Sequence, residues 1–177
     1  LINAQVLRHE LEAYGAIFQS TSDSEVIIHL IAHSRADTLL ARIIDAMSQV
    51  RGAFSVVLQT DDGIIAVRDP HGFRPLCLGR LGDTYLVASE TCAFDLLGAE
   101  IVREIEPGEL VVLNDKGVTS HKPFPPVSPA MCVFEYVYFA RPDSKIFGAN
   151  AVYVTRKALG RQLAKESSVP ADIVVPV

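Results

Sequence analysis

Hydrophobic residues recur at helical spacing in the first fifty positions and at strand spacing afterwards. The early part predicts three helices, at residues 3–14, from the capping-box pattern at residues 22–25, and from Asp37 as an N-cap. Later β-rich runs predict strands at residues 53–59, 64–67, 74–78, 84–88, 102–105 and 109–113, with a short helix near residues 91–97. Short strands joined by tight turns imply a mainly antiparallel sheet, and helices packed on it give an α+β fold.

The pattern changes again after residues 121–129, which contain four prolines and are interpreted as a linker. The apolar run 132–139, a helix at residues 152–164 and a buried strand at residues 172–177 follow, in the order that begins a parallel α/β domain. We therefore predict one domain at residues 1–130 and the start of another at residues 131–177. The chain opens without methionine and closes within an apolar strand, so both ends are expected to be cut.

Composition narrows the function classes. The formal net charge is −5, and Lys and Arg are scattered, so nucleic-acid binding is not expected. The longest apolar run, residues 26–32, is too short to cross a bilayer, and no secretory leader begins the chain. The three cysteines are widely spaced and form no CxxC pair, so neither a disulfide framework nor a zinc knuckle is indicated. A cytoplasmic, reducing location is the expectation.

Two stretches carry a first resemblance. Residues 68–76, which run RDPHGFRPL, are followed by Gly79 and by Ala88-Ser89-Glu90, and together they resemble the signature of class II glutamine amidotransferases, the N-terminal-nucleophile glutaminases. Gly72 is expected to need a positive φ. Residues 20–25 resemble the helix start of that family, and the resemblance implies that Asp23 holds the α-amino group of glutamine. The alternative, that Asp23 only helps to start a helix, stays open.

A third stretch is more specific. Residues 134–144, FEYVYFARPDS, resemble the segment that joins glutaminase to phosphoribosyltransferase in the amidophosphoribosyltransferases, so the resemblance covers the whole chain. It implies that residues 1–130 are the later part of an antiparallel sheet layered with helices. Residues 131–177 are then the first elements of a type I phosphoribosyltransferase domain. The implied reaction, the first committed step of de novo purine synthesis, transfers ammonia from glutamine to phosphoribosyl pyrophosphate and gives phosphoribosylamine, glutamate and pyrophosphate.

The resemblance also implies which parts of the sites are present. The family's nucleophile is an N-terminal cysteine whose own α-amine acts as the base, a role that Cys77, Cys92 and Cys132 cannot take. Nucleophile and oxyanion hole are expected upstream of Leu1, so this chain alone is expected to be inactive. Tyr138 and Phe139 are implied to line the passage that carries ammonia between the two active sites, with ordinary core packing as the alternative.

The cofactors and partners implied by the resemblance are Mg²⁺, bound with phosphoribosyl pyrophosphate, and in many members a [4Fe–4S] cluster. Cys132 lies where one cluster ligand is expected, and a small buried strand cysteine is the equally open alternative. The family is generally tetrameric and is inhibited by purine nucleotides. Two other interpretations remain: another class II glutamine amidotransferase, and a catalytically dead glutaminase-like module that binds partners.

Overall fold

The computed structural model describes residues 1–148 and 151–175. These residues form two compact units. The first contains Leu1–Arg74 and Ile105–Ala130, and the second contains Pro75–Glu104 and the described residues from Met131 onward. The chain thus crosses between the units more than once, and the predicted domain division at residue 130 stays a prediction.

The first unit opens with three helices, α1 (Ala4–Ala13), α2 (Ser24–His33) and α3 (Leu39–Gln49), as the hydrophobic spacing predicted. Helix α3 begins one residue later than expected. The hydroxyl of Thr38 accepts a hydrogen bond from the Ala41 N–H at 3.2 Å, so Thr38 is the N-cap and the assignment of Asp37 was wrong. The hydroxyl satisfies one of the amides that the first helical turn leaves without a partner.

Four antiparallel strands form the sheet of the first unit, in the order β1-β2-β6-β7. Their bounds are Ser55–Thr60, Gly63–Arg68, Leu110–Asn114 and Gly117–His121. Tight turns join β1 to β2, where Thr60 pairs with Gly63, and β6 to β7, where Asn114 pairs with Gly117. The sequence did not predict β7, because this strand has too few apolar residues for a recognisable alternating pattern. Its pairing with β6 follows from the tight turn that joins the two strands.

The core of this unit lies between the helices and the two central strands. The apolar faces of all three helices meet side chains of β2 and β6. The buried members are Leu7, Leu11, Val26, Ile27, Leu30, Ile43, Ala46, Met47, Val50, Phe54, Ile65, Val67 and Leu110. A helical layer on an antiparallel sheet confirms the predicted α+β class.

The second unit has a three-stranded antiparallel sheet in the order β4-β3-β5, made of Thr84–Ala88, Cys77–Leu81 and Glu100–Glu104. Strand β3 starts three residues later than predicted. Pro75 has no N–H for a ladder, and the carbonyl of Arg74 is already bound by the side chains of Arg68 and Ser55. Helix α4 (Cys92–Leu97) lies between β4 and β5 in the chain.

Helix α4 packs closely on β3. A Cβ atom on Gly79 would meet the ring of Phe94 at 2.8 Å, and Phe94 is buried. Gly79 therefore makes room for the aromatic ring, which explains a glycine inside a strand.

Two predicted strands near the end of the chain are corrected. Within the run 132–139 the chain forms a five-residue π-helix, Glu135–Phe139, and the Ala140 N–H donates to the Glu135 carbonyl five residues back, at 3.1 Å. Helix α5 (Val152–Glu166) follows as predicted. Residues 172–175 form no strand, since no described strand pairs with them, and the rest of that predicted strand lies outside the described residues. None of the described helices has the length and apolarity needed to cross a membrane.

Candidate functional site

Asp23 stands at the start of α2 with its carboxylate about half exposed, at 53%. Oxygen Oδ2 accepts a hydrogen bond from the α-ammonium of Leu1 at 2.6 Å. This contact lowers the pKa of Asp23, and the hydrogen bond is the largest cause. Asp23 makes no side-chain cap to the helix. The carboxylate is therefore not used in capping the helix, and its role toward glutamine stays a prediction.

The predicted capping box at residues 22–25 does not form as expected. The Glu25 carboxylate turns away from Ser22 and accepts hydrogen bonds from the Gln19 N–H at 2.7 Å, the Ser20 N–H at 2.9 Å and the Ser20 hydroxyl at 2.6 Å. These donors lower the pKa of Glu25 to about 2. Glu25 therefore fixes the loop that leads into Asp23. The sequence had instead predicted a capping box, because Glu25 lies three residues after Ser22.

The RDPHGFRPL stretch forms a turn whose first two charged side chains, Arg68 and Asp69, are buried. The carboxylate of Asp69 is fully buried and accepts backbone N–H groups from Phe54, His71 and Phe73. Burial is the largest influence on this carboxyl and raises its pKa, although the backbone hydrogen bonds act in the opposite direction. The turn thus joins β2 to the start of β1 through one buried carboxylate.

The neighbouring Arg68 is also buried and donates to backbone carbonyls of Arg74, Gly72 and Ile105. Gly72 has φ +64°, as predicted, and a Cβ there would lie 2.7 Å from Pro107. This signature stretch holds a turn in place and presents no reactive side chain.

A second cluster surrounds Glu90 in the other unit. Its oxygen Oε2 accepts hydrogen bonds from the Arg141 N–H at 2.8 Å and the Ser144 hydroxyl at 2.6 Å. The hydroxyl of Thr91 accepts the Lys145 N–H at 2.8 Å. Two stretches that the sequence singled out separately, ASE and ARPDS, are therefore in contact. Sequence reasoning missed this, because no spacing rule relates positions that lie more than fifty residues apart.

Arg141 and Asp143 form a local ion pair. The guanidinium donates to both carboxylate oxygens, at 3.0 and 2.8 Å, and both side chains are about half exposed. The contact lowers the pKa of Asp143 and raises that of Arg141. This pair stabilises the turn at residues 141–144.

The two aromatic residues predicted for the ammonia passage lie on the π-helix. Tyr138 is 77% exposed and Phe139 is 49% exposed, and their rings meet edge to face at 6.0 Å between centroids. Phe134 lies 5.9 Å from Phe139 on the same surface. An exposed apolar patch of this kind typically marks an interaction surface or a ligand groove.

Cys132 is partly exposed and is one of three free cysteines, with Cys77 and Cys92 buried. Within residues 1–148 and 151–175, no group of three or more His, Cys, Asp or Glu side chains is arranged to hold a metal ion. A [4Fe–4S] cluster takes four thiolates, and these residues supply only one in an accessible position. The described residues therefore do not build a cluster or a Mg²⁺ site by themselves.

The layered α+β core, with the half-exposed Asp23 carboxylate at the start of α2, agrees with a glutamine amidotransferase module. The family model described as "Glutamine amidotransferase domain" matches residues 1–95, and the chain belongs to this family. The predicted class II resemblance and its fold are confirmed.

The similarity extends beyond the matched residues. The amidophosphoribosyltransferase of Bacillus subtilis is 47% identical over 177 residues, which is 100% of this chain and 37% of that protein. The amidophosphoribosyltransferase of Staphylococcus aureus is 49% identical over 178 residues, which is 100% of this chain and 36% of the relative. The chain thus spans little more than a third of the length of these relatives.

A solved structure agrees with the sequence comparison. It is the glutamine phosphoribosylpyrophosphate amidotransferase of B. subtilis complexed with ADP and GMP, which superposes with a TM-score of 0.93 at 47% identity. The match covers 97% of this chain and 38% of that chain. The predicted resemblance to amidophosphoribosyltransferases is confirmed along essentially the whole sequence.

Proposed function

We propose that this chain is part of an amidophosphoribosyltransferase, containing the later portion of its glutaminase domain and the start of its phosphoribosyltransferase domain. The observation that carries the proposal is the whole-length similarity, at 47–49% identity, to relatives of that name. The longer protein would transfer ammonia from glutamine to phosphoribosyl pyrophosphate and form phosphoribosylamine, glutamate and pyrophosphate. This chain supplies a substrate contact and the connection between the two domains.

Asp23 is proposed to bind the α-ammonium of glutamine. The half-exposed carboxylate of Asp23, which makes no cap to α2, supports this, because an ionised carboxylate accepts charge-assisted hydrogen bonds from an ammonium group. Where residues precede Leu1 in a longer protein, the Leu1 nitrogen is a peptide amide, and the carboxylate is available to the substrate. The ordinary pKa of an aspartate lies well below neutral pH, so the Asp23 carboxylate is ionised there without the Leu1 ammonium, as an ammonium ligand requires.

The nucleophile of the proposed glutaminase must come from outside this chain. Cys77 and Cys92 are buried, and Cys132 lies in mid-chain, so none of these thiols has a free α-amine beside it. The residues described here therefore bind and position substrate, and the bond-breaking groups belong to the longer protein.

Tyr138 and Phe139 are proposed to form part of the wall that ammonia passes. An apolar wall suits neutral ammonia, because it excludes water and the protons that would trap it as ammonium. The large exposed fraction of Tyr138 supports a role beyond core packing.

The cofactor proposals need residues of the longer protein in addition to those of this chain. Cys132 would contribute one thiolate of a [4Fe–4S] cluster, and the other three would come from further along the longer protein. Mg²⁺ would bind with phosphoribosyl pyrophosphate, also outside this chain. Iron content of the purified longer protein, compared between wild type and Cys132→Ser, tests the first assignment. Unchanged iron would remove Cys132 from the ligand set.

Purine nucleotides are proposed as inhibitors of the longer protein, in a homo-oligomer that is tetrameric in the family. The bound ADP and GMP of the B. subtilis structure support the nucleotide proposal. A cytoplasmic location is the matching proposal, supported by three free cysteines.

The test of the function uses the longer protein with the Asp23→Asn substitution. The KM for glutamine should rise roughly tenfold or more, since a lost hydrogen bond between charged groups is worth one to two powers of ten. Phosphoribosylamine formation from free ammonia should not change, because this route does not use the glutamine site. Asp62→Asn, in the exposed turn after β1, is the matched control.

Two results would contradict the proposal. A wild-type protein that forms no phosphoribosylamine from either nitrogen source would favour a binding module or another amidotransferase. An unchanged KM for glutamine in Asp23→Asn would remove Asp23 from the substrate site.

A further inference from the structure

One carboxylate oxygen ties together segments that are far apart in sequence. Oε2 of Glu90 lies 2.8 Å from the Arg141 backbone nitrogen and 2.6 Å from the Ser144 hydroxyl. The Cys92 thiol donates to the same oxygen at 3.7 Å. Hydrogen bonds to an ionised acceptor are about twice as strong as neutral ones. Glu90 therefore holds both ends of the turn at residues 141–144.

The next residue in the chain reinforces this contact. The Thr91 hydroxyl accepts the Lys145 N–H at 2.8 Å, and the side chains of Thr91 and Ser144 are buried. The connection between β4 and α4 is thus a rigid support for residues 141–145. Burial of Thr91 and Ser144 reduces the competition of solvent for the two bonds that their hydroxyl groups make.

The supported turn directly follows the π-helix. Ala140 ends that helix, with its N–H donated to the Glu135 carbonyl at 3.1 Å, and Arg141 comes next. From the other side, Arg156 of α5 donates to the carbonyls of Tyr136 and Ala140, at 2.6 and 2.8 Å. The π-helix is therefore held by two side chains. Arg156 binds its carbonyls, and Glu90 binds the Arg141 N–H just beyond its end.

This frame sets the direction of the exposed aromatic residues. Tyr138 is 77% exposed, so packing around its ring does little to fix its direction. Its position instead follows from the backbone to which it is attached. A five-residue π-helix is rare and is frequently found at functional sites.

We infer that Glu90 is a positioning residue, whose carboxylate holds the π-helix so that Tyr138 and Phe139 face the ammonia passage. The inference rests on the proposed function. The contacts of Glu90 are with Arg141, Ser144 and Cys92, so it acts through the turn that these hydrogen bonds hold. Its loss should allow ammonia to escape while leaving glutamine hydrolysis intact.

The experiment measures coupling in the longer protein. Glutamate released is compared with phosphoribosylamine formed, in wild type and in Glu90→Ala. We expect this ratio to rise roughly tenfold in Glu90→Ala, since a displacement of about 1 Å at a distance from the chemistry has effects of this size. A purely structural role would lower both products together and leave the ratio unchanged.

A conservative variant sharpens the test. Both strong hydrogen bonds end on the same oxygen, so the single carbonyl oxygen of glutamine can accept both, and Glu90→Gln should restore most of the coupling. Glu100→Ala, at an exposed position of β5 in the same unit, is the matched control and should keep the wild-type ratio. Ser144→Ala removes only one of the two bonds and should give an intermediate ratio. It also replaces Glu90→Ala if that variant does not fold.

The inference is overturned if Glu90→Ala, or Ser144→Ala in its place, keeps the wild-type ratio of glutamate to phosphoribosylamine. It is also overturned if Glu90→Gln is as uncoupled as Glu90→Ala. A wild-type protein that makes no phosphoribosylamine would instead refute the proposed function, so the two failures are distinguishable.

Discussion

The Glu25 carboxylate binds Ser20 twice, through its backbone N–H at 2.9 Å and through its hydroxyl at 2.6 Å. A third bond reaches the Gln19 N–H. The side chain at the first turn of α2 thereby fixes the loop that precedes Asp23. The loop that leads to Asp23, the residue proposed to bind substrate, is thus held by a carboxylate only two positions beyond it.

The acid dependence of stability should reveal this contact. The pKa of Glu25 falls from 4.5 to about 2 in the folded protein. A lowered folded pKa contributes stability that is present above the unfolded value and is lost as the pH falls through the folded value. The free energy of unfolding of wild type should therefore exceed that of Glu25→Gln above about pH 4.5.

This difference should shrink as the pH falls and be gone near pH 2, as denaturant titrations across that range would measure. Glu10→Gln, at an exposed position on α1, should show no such dependence. A wild-type advantage over Glu25→Gln that stays constant from pH 2 to neutral pH would show that the lowered pKa is not its source.

The sequence predicted elements well wherever local patterning decides them. Helices α1, α2 and α3 have strong apolar stripes, and the strands around the Asp61-Asp62 turn have a hairpin signal, so both were found within a few residues. The α+β class followed from that order of elements.

Tertiary contacts decided the cases that were missed. Strand β3 starts late because Arg68 has already taken the Arg74 carbonyl. The run 132–139 has the composition of a strand, yet residues 135–139 form a π-helix. Arg156 donates hydrogen bonds to the carbonyls of residues 136 and 140 in and next to this helix. Local propensity does not encode these bonds from a side chain to a backbone carbonyl, whose partners lie six to twenty residues away.

In the candidate site, too, local motifs revealed some residues, whereas others became apparent only from tertiary contacts. The resemblance identified Asp23, Cys132, Tyr138 and Phe139, because short motifs carry them. Glu25 and Glu90, which hold the surrounding backbone, were visible only as parts of motifs. Their hydrogen bonds depend on the folded positions of their partners, which the sequence does not specify.

Gly72 offers a test of steric limits in the RDPHGFRPL turn. Gly72→Ala should destabilise the protein more than Gly82→Ala, although both glycines have similar positive φ values of +64° and +59°. A Cβ at position 72 meets Pro107 at 2.7 Å, whereas position 82 opens into free space. The two variants share the left-handed penalty, so the difference isolates overpacking and should be about 1–3 kcal/mol in thermal or denaturant unfolding. Equal losses would show that Pro107 moves aside freely.

Asp69 tests the buried carboxylate of the same turn. Asp69→Asn should destabilise the protein by about 1–3 kcal/mol at neutral pH, because an amide nitrogen would face backbone N–H groups that now have an acceptor. Burial raises the pKa of Asp69, so its ionisation opposes folding. The wild-type advantage over the variant should therefore be largest in acid and should decrease as the pH rises through the raised pKa. Asp61→Asn, in an exposed turn, should be neutral, and an equally stable Asp69→Asn would contradict the prediction.

Tyr138 gives the direct test of the ammonia passage. In the longer protein, Tyr138→Ala should lower glutamine-dependent formation of phosphoribosylamine and leave ammonia-dependent formation unchanged, because free ammonia does not need the passage from the glutaminase site. The size of the loss should be roughly tenfold, as for other misaligned transfer steps. Tyr14→Ala is a matched control, since Tyr14 is 76% exposed and Tyr138 is 77% exposed. If both nitrogen sources were used with unchanged efficiency in Tyr138→Ala, the side chain would have no part in carrying ammonia, and its exposure would need a different partner to explain it.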